Sequence, residues 1–412
     1  MVRLKGFQKL TPVEDALQVF LNNLDLQPTS KTIIHTAEAL NLVLAEDVTA
    51  KTDLPRFDRA AVDGYAVRAE DTFGATQYKP CIFQFTKEST LTQNQTKRVW
   101  TGNPLPKDAN AVAMLEDTET TKAKLEVWVP LTPGENVSKR GEDIRKGQIA
   151  IQAGTRLKPH HLGLIVALGE THVEVYEKPK VAIIATGNEL AELGTKLEEN
   201  QIYDTNKPVL SALCRENGAD PLDLGIAKDN INDITERLRT ALERAELTLT
   251  SGGTSVGGAD LVPGAVNNLG KPGVIIHGIA MRPAMPTALA VIGKKPVIIL
   301  SGNPVAAIIG FEVFARPLLA RLQGLKQAEP RPTVQAEITR RTATALGRKN
   351  YVRVHVHHKN GRLYAEPISV KGSSMLSTMT RSNGYVIVPE DREGLEKGET
   401  VQVHLFDTIS EW

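Results

Sequence analysis

VAIIATGNEL (181–190), ELTLTSGGTSVGGAD (246–260) and PVIILSGNPVAAIIG (296–310) follow one pattern. Each is an apolar run rich in β-branched residues that breaks into a turn of Gly, Ser, Thr and Asn. Such runs read as strands buried on both faces, which is the mark of a parallel sheet covered by helices. Around them the chain alternates strand and helix. A helix is expected near 205–217, a strand over PLDLGIA (221–227) and a helix over 230–244. Further strands fall at VIIH (274–277) and ALAVIG (288–293), and a long apolar helix opens at SGNPVAAIIGFEVFARPLLARLQG (301–324). This grammar describes an α/β domain with a mostly parallel sheet between two helical layers.

Outward from that domain the character changes. Upstream, Thr11 and Glu14 fit a capping box with Pro12 at the first helical position, and Thr36–Leu44 reads as a second helical run. Between 45 and 180, short pieces such as AVAML (111–115) and LEVWVP (125–130) alternate with Gly, Pro and Asn, as in small β-rich modules. HHLGLIVALG (160–169) reads as a short helix before a strand at HVEVY (172–176). Downstream, QAEPRP (327–332) reads as a linker. Beyond it, VQAEI (334–338), YVRVHVH (351–357), RLYAEPI (362–368), GYVIVP (384–389) and TVQVHLF (400–406) suggest a small barrel or sandwich.

Composition excludes several classes. The chain has 412 residues, 41% hydrophobic and 24% charged, as in an ordinary globular protein. Lys and Arg total 49 against 48 Asp and Glu, so no basic excess points to nucleic acid. No apolar segment suggests a signal peptide or a membrane span, and the expected location is cytoplasmic. Cys81 and Cys214 form no CxxC motif; Cys214, mid-helix, reads as core.

The chemistry is expected beyond the carboxyl ends of the parallel strands, where ligands of open α/β sheets gather. The loops there are Thr186-Gly187-Asn188-Glu189, the turn holding Asp229, Ser251-Gly252-Gly253-Thr254-Ser255 running on to Asp260, and Ser301-Gly302-Asn303-Pro304. Glycines allow close backbone approach, and free amides at a helix start favour an anion. The ligand expected is a phosphorylated or otherwise anionic small molecule. No GxGxxG with a following acid and no GxxxxGK[ST] occurs, which disfavours a nicotinamide dinucleotide or a P-loop nucleotide. Glu189, Asp204, Asp229 and Asp260 would suit a hard cation such as Mg²⁺, although Asp229-Asn230 equally suits a helix cap. His355 and His357 alternate with Val354 and Val356 and read as a solvated strand face. RFDRAAVDGYAVRAED (56–71) and GENVSKRGEDIRKG (134–147) add a second concentration of acids and arginines.

DxxAxDGYAVR (58–68), GEDIRKG, TGNEL, SGGTSVGxAD, SGNP and GSSMLSTMTRSNGYVIVP (372–389) stand in the order seen in the molybdopterin molybdenumtransferases, the family that also forms the C-terminal part of gephyrin. The chain resembles that family over essentially its whole length. The resemblance implies a multidomain α+β and α/β protein. Its parts would be a discontinuous N-terminal domain (1–27 and 146–178), an inserted β-rich arm (28–145), a three-layer α/β molybdopterin-binding domain (179–326) and a C-terminal β-barrel (331–412). It implies a homodimer with an active cleft between the α/β domain of one subunit and the arm of the other. It allows transient contact with the molybdopterin adenylyltransferase. The implied reaction inserts molybdate into adenylylated molybdopterin, with Mg²⁺ or a similar cation, and releases AMP.

Carried over by motif, the pterin and phosphate loops are Thr186–Glu189, Ser251–Ser255 and Ser301–Pro304. The implied catalytic acids are Asp58, Asp63, Asp143, Glu189, Asp229 and Asp260, of which Glu189, Asp229 and Asp260 are the metal ligands. The implied oxyanion ligands are Arg282, Arg353, Ser373 and Ser374. The chain departs from the family at MRPAMP (281–286), where MKPG(K/L)P is usual, at Gly258 and at Ser301. Arg282 presents a planar fork in place of an ammonium, and Ala284 would be strained at a positive φ. Those departures leave a tungstate-preferring paralogue or a non-catalytic molybdopterin-binding protein as the alternatives.

Overall fold

The computed structural model describes residues 10–121, 123–253, 261–368 and 374–411. The chain divides into two compact units. One holds residues up to Thr32, Asn41–Val43 and Val175 onward; the other holds Ile33–Leu40 and Leu44–Glu174.

In the first unit the apolar runs form strands β1 (Lys180–Thr186), β2 (Asp220–Ala227), β3 (Leu247–Ser251), β4 (Pro272–His277), β5 (Ala288–Ile292) and β6 (Lys295–Leu300). They make one six-stranded sheet in the order β2-β1-β3-β6-β5-β4. Pairings from β2 through β6 are parallel, and β5 runs antiparallel to both its neighbours. The period-2 alternation of a strand explains the two helical layers. Val181 and Ile183 pack with Leu210 and Cys214 of α1 (Asn206–Glu216), with Phe311 and with Phe314. Ala182 and Ile184 pack on the opposite face with Ile234 and Leu238 of α2 (Ile231–Arg244) and Val262 of α3 (Leu261–Leu269). Cys214 is fully buried, and burial pushes its thiol up to about 12, as a core residue requires.

After β6 the chain stays helical through Pro304–Gly310, a π-helical stretch Phe311–Ala315, and Arg316–Leu322. Pro304 takes the first helical position. Strands β7 (Thr333–Ile338), β8 (Lys349–Lys359), β9 (Arg362–Pro367), β10 (Gly384–Val388) and β11 (Thr400–Leu405) then close on one another in the order β8-β9-β7-β11-β10-β8, a five-stranded barrel. Val352, Val354 and Val356 point into its core.

Three expectations need correction. Thr11 does not cap the helix Val13–Asn22; Pro12 stands at the cap position without a side-chain bond. Thr11 lies instead in an extended bridge, donating its N–H to Gly278 O (3.1 Å) and accepting from Ala280 N (2.8 Å). Thr36–Leu44 supplies only a 3-10 turn, Thr36–Glu38, because Asn41 takes φ 65°. The face of β8 opposite the valines is not solvated. Tyr351, Arg353 and His357 are buried, Tyr351 against the α/β core and His357 beside Tyr364 with ring centroids 6.0 Å apart.

The second unit is β-rich. Its six-stranded sheet runs Ala111–Met114, Gly64–Val67, Gln95–Val99, Cys81–Phe85, Lys124–Val127, Thr118–Thr121. Tyr65, Val67, Phe83, Leu125 and Val127 form one core; Ala66, Leu91, Val99 and Val112 form another. The short helix Pro159–Ala167 lies in this unit.

Candidate active site

The strand order places a topological switch at β1. The chain leaves β1 to form β2 on one side and returns to form β3 on the other, with α1 and α2 on opposite faces. The exit loops of β1 and β3 therefore part around a crevice, the preferred ligand position of such sheets. The loops converge closely. A Cβ on Gly252 would lie 2.5 Å from Thr186 O, and one on Gly302 would lie 3.6 Å from Gly252 Cα. Gly252 also has φ 96°, so this crossing requires glycine.

Side chains pin the same loops. Asn188 N donates to Asp229 Oδ2 and Asp229 N donates to Asn188 Oδ1, each at 3.1 Å, which locks the β1 exit to the β2 exit. Asn230 Oδ1 accepts from Asp233 N at 2.9 Å and caps α2, so the cap reading holds for Asn230. The Glu189 carboxylate folds back over Gly187, where a Cβ would meet its Oε2 at 2.6 Å. Beside these residues lies an open crevice of about 480 Å³ lined by Gly187, Asn188, Glu192, Lys228 and Arg237. Asn303 heads the helix at Pro304 without a side-chain cap, leaving backbone amides for an anion.

Asn206, which the sequence pattern did not single out, joins three segments. Its Nδ2 donates to Ser251 Oγ (2.6 Å) and to Gly302 O (2.8 Å) from the first turn of α1. Asp204 Oδ1 accepts from Asn206 N at 2.9 Å. Burial raises the Asp204 carboxyl above the usual range, against the pull of these backbone N–H groups and the Lys207 charge.

A second concavity of about 330 Å³ in the same unit is lined by Arg282, Pro283, Arg348 and Arg353. Met281–Arg282 pairs in parallel with Lys349–Asn350 of β8, which brings the two chain regions together. Burial, and then the neighbouring Arg282 charge, lower the Arg353 guanidinium below its ordinary range. An anion between these cations would relieve that repulsion. Arg348 was missed by sequence reading because only the 281–349 pairing brings it here. Ser374 is exposed and is not among the described residues lining this cleft. Ala284 does take φ 76°, held by Thr287, whose N and Oγ1 donate to its carbonyl at 3.1 and 2.8 Å.

In the other unit, Arg59–Ala60 pairs with Val137–Ser138 and so brings the two charged motifs together. Asp58 Oδ1 accepts from Arg140 N (2.7 Å). Asp63 Oδ1 accepts from Thr101 N (2.8 Å) and Oγ1 (2.7 Å), bonds that hold its carboxyl below the usual range. Asp143 is exposed. Thr254, Ser255, Asp260 and Ser373 lie outside the described residues.

Comparison with known proteins follows the same segments. Residues 11–169 match the family model of the MoeA N-terminal region (domain I and II). Residues 182–321 match a probable molybdopterin binding domain, and 335–406 the MoeA C-terminal region (domain IV). The chain is 34% identical to the molybdopterin molybdenumtransferase of Bacillus subtilis, over 91% of this chain and 90% of that one. The chain belongs to the MoeA family of molybdopterin molybdenumtransferases. The Haemophilus influenzae molybdopterin molybdenumtransferase is 31% identical over 93% of this chain and 95% of its own. A crystal structure of the molybdopterin biosynthesis moeA protein from Pyrococcus horikoshii OT3 superposes with a TM-score of 0.83 at 34% identity, covering 97% of this chain and 100% of that one. The three-layer domain, β-rich unit and closed barrel are thus those of a MoeA protein, and the chain is an enzyme of molybdenum cofactor biosynthesis. Among the described residues no helix is long and apolar enough to cross a membrane.

Proposed function

We propose that this MoeA-family chain binds adenylylated molybdopterin at the switch-point crevice and inserts molybdate into its dithiolene with release of AMP. The observation that carries the reading is the convergence of the 186–189, 251–253 and 301–304 turns at the carboxyl ends of adjacent strands. Their amides and the uncapped helix at Pro304 suit the phosphate groups. In this reading Arg282, Arg348 and Arg353 receive the oxyanion, since guanidinium forks match a tetrahedral dianion. Ser373 and Ser374 are proposed as further oxyanion ligands.

Glu189 and Asp229 offer hard oxygen donors at the neighbouring exits of β1 and β2, a donor type that fits Mg²⁺ sharing its remaining positions with phosphate and water. Asp260 is proposed as the third ligand. Bound there, the cation would neutralise charge on the phosphoryl group. Asp229 also orients the β1 exit through Asn188, so it acts on position as well as charge. Asp58, Asp63 and Asp143 are proposed as further acids of the reaction. Asp63, held ionised by Thr101, suits an electrostatic role better than that of a proton donor. A cytoplasmic homodimer completes the reading.

The test is AMP release from adenylylated molybdopterin by the purified chain with molybdate and Mg²⁺. Asp229→Asn is expected to slow release by about 10²-fold while pterin affinity changes by less than about 3-fold. Retention of the adenylylated pterin with no AMP formed by the wild type would reduce the chain to a binding protein.

A further inference from the structure

Two buried oxygens beside the crevice lack donors. Asp204 uses Oδ1 to cap the first turn of α1, accepting from Asn206 N and Lys207 N at 2.9 and 3.4 Å, but its Oδ2 has no hydrogen-bond partner. Asn206 spends its amide N–H groups on Ser251 Oγ and Gly302 O, and its Oδ1 has none either. Both residues are more than nine-tenths buried, with exposures of 7% and 6%. Buried acceptors are almost always paired in folded proteins. The nearby Lys207 ammonium does not serve them, because it is committed to Glu192 Oε1 at 2.6 Å and Asp223 Oδ1 at 3.2 Å.

Two unpaired acceptors, two residues apart, the second on a residue bonded to the β3 and β6 exits, ask for a ligand with two adjacent donors. A 2-amino-4-oxo pterin has such an edge in its exocyclic amino group and ring N3–H. We propose that Asp204 Oδ2 and Asn206 Oδ1 read this donor edge of the bound pterin and so set selectivity for the 2-amino ring. The inference rests on the crevice being a pterin site, as proposed above. Both oxygens are buried in the ligand-free chain, so the inference includes a yielding of the 301–304 turn, to which Asn206 is bonded through Gly302 O. A hard cation suits the pair less well, since it needs six or more oxygens and Mg²⁺ keeps several of its waters.

The probes are 6-hydroxymethylpterin phosphate and its lumazine counterpart, which carries a carbonyl in place of the 2-amino group and a proton on N1. Their affinities for the full chain are measured by fluorescence titration, with and without EDTA. The wild type is expected to prefer the pterin by at least about 30-fold, because the lumazine sets an acceptor against acceptors. Asp204→Asn keeps an acceptor for the helix cap and turns a donor toward the ligand. In that variant the preference is expected to fall within about 3-fold of unity or to reverse. A wild-type ratio near one, or a ratio unchanged in folded Asp204→Asn, overturns the inference. So does a preference that disappears with EDTA, which would place a cation on these oxygens. If the variant does not fold, the wild-type ratio decides alone. AMP release by a wild type with no preference would reject this subsite and keep the proposed activity, whereas binding of neither probe would reject both.

Discussion

Asp204 shows how one side chain can carry stability and recognition in opposite directions. Burial raises its carboxyl above the ordinary aspartate value of 3.8, so the native chain holds this proton to a higher pH than the unfolded chain does. Its contribution to stability is therefore fully present below about 3.8 and is lost as pH rises through the native value. Asn in its place does not titrate and still caps α1. Asp204→Asn is accordingly expected to melt higher than wild type at pH 7, with the gain shrinking toward pH 3.5. Thermal melts of both proteins at the two pH values check this, and a gain larger in acid would contradict the sign. The sequence identifies Asp204 as an acid near a strand-end loop. It does not show that one of its oxygens is left without a donor, because that depends on where Ser251, Gly302 and Lys207 lie in space. Arg348 was hidden for the same reason, its place depending on a pairing of segments far apart in the chain. The place of Glu189 and Asp229 just beyond strand ends was legible, because the apolar runs before them mark where the strands stop.

At the scale of elements, the crossing of the strand-exit turns makes a sharp comparison between two glycines. Gly252 has φ 96° and a Cβ there would meet backbone Thr186 O at 2.5 Å, with no flexible atom to move aside. Gly252→Ala is expected to cost about 2–4 kcal/mol, from left-handed strain and displacement of the loop. Gly302 is different, because the nearest atom to its Cβ is Gly252 Cα at an ordinary 3.6 Å. Gly302→Ala is expected to change stability by less than about 1 kcal/mol. Urea unfolding of the two variants checks the pair, and equal costs would mean that the turns do not cross as described. The strands themselves were legible because runs of Val, Ile and Leu buried on both faces have no helical period. The start of the chain was not, since Thr11 satisfies a local capping pattern yet its backbone pairs with residues 278–280. Tertiary pairing overrode the local signal there. The buried outer face of β8 failed for a related reason: alternation shows which residues share a face, not what packs against it.

Across the first unit, one carboxylate ties the α/β layers to the barrel. Glu312, in the π-helical stretch after β6, accepts from Arg316 Nη1 at 2.7 Å and from Arg331 Nε and Nη2 at 3.1 and 3.0 Å. Arg331 belongs to the segment read from sequence as a linker, and it also donates to Glu216 Oε1 at the end of α1, 2.9 Å away. On the barrel side, burial pushes Tyr385 up to about 12, with a hydrogen bond to Glu312 adding to the shift. The linker is therefore fastened between two helices as it enters β7, and proline-rich polar composition alone could not reveal that. Arg331 is only 15% exposed, so removing the charge of Glu312 leaves its guanidinium buried against a single remaining acid. Breaking one side of a buried pair typically costs about 3–5 kcal/mol, and Glu312→Gln is expected toward the low end because Glu216 remains. Replacing both partners removes the stranded charge, so Glu312→Leu combined with Arg331→Leu is expected to cost less than the sum of the two single changes. A double-mutant cycle by urea unfolding measures this. Strict additivity would mean that the pair contributes nothing to holding the barrel against the sheet, and the linker would then be no more than a tether.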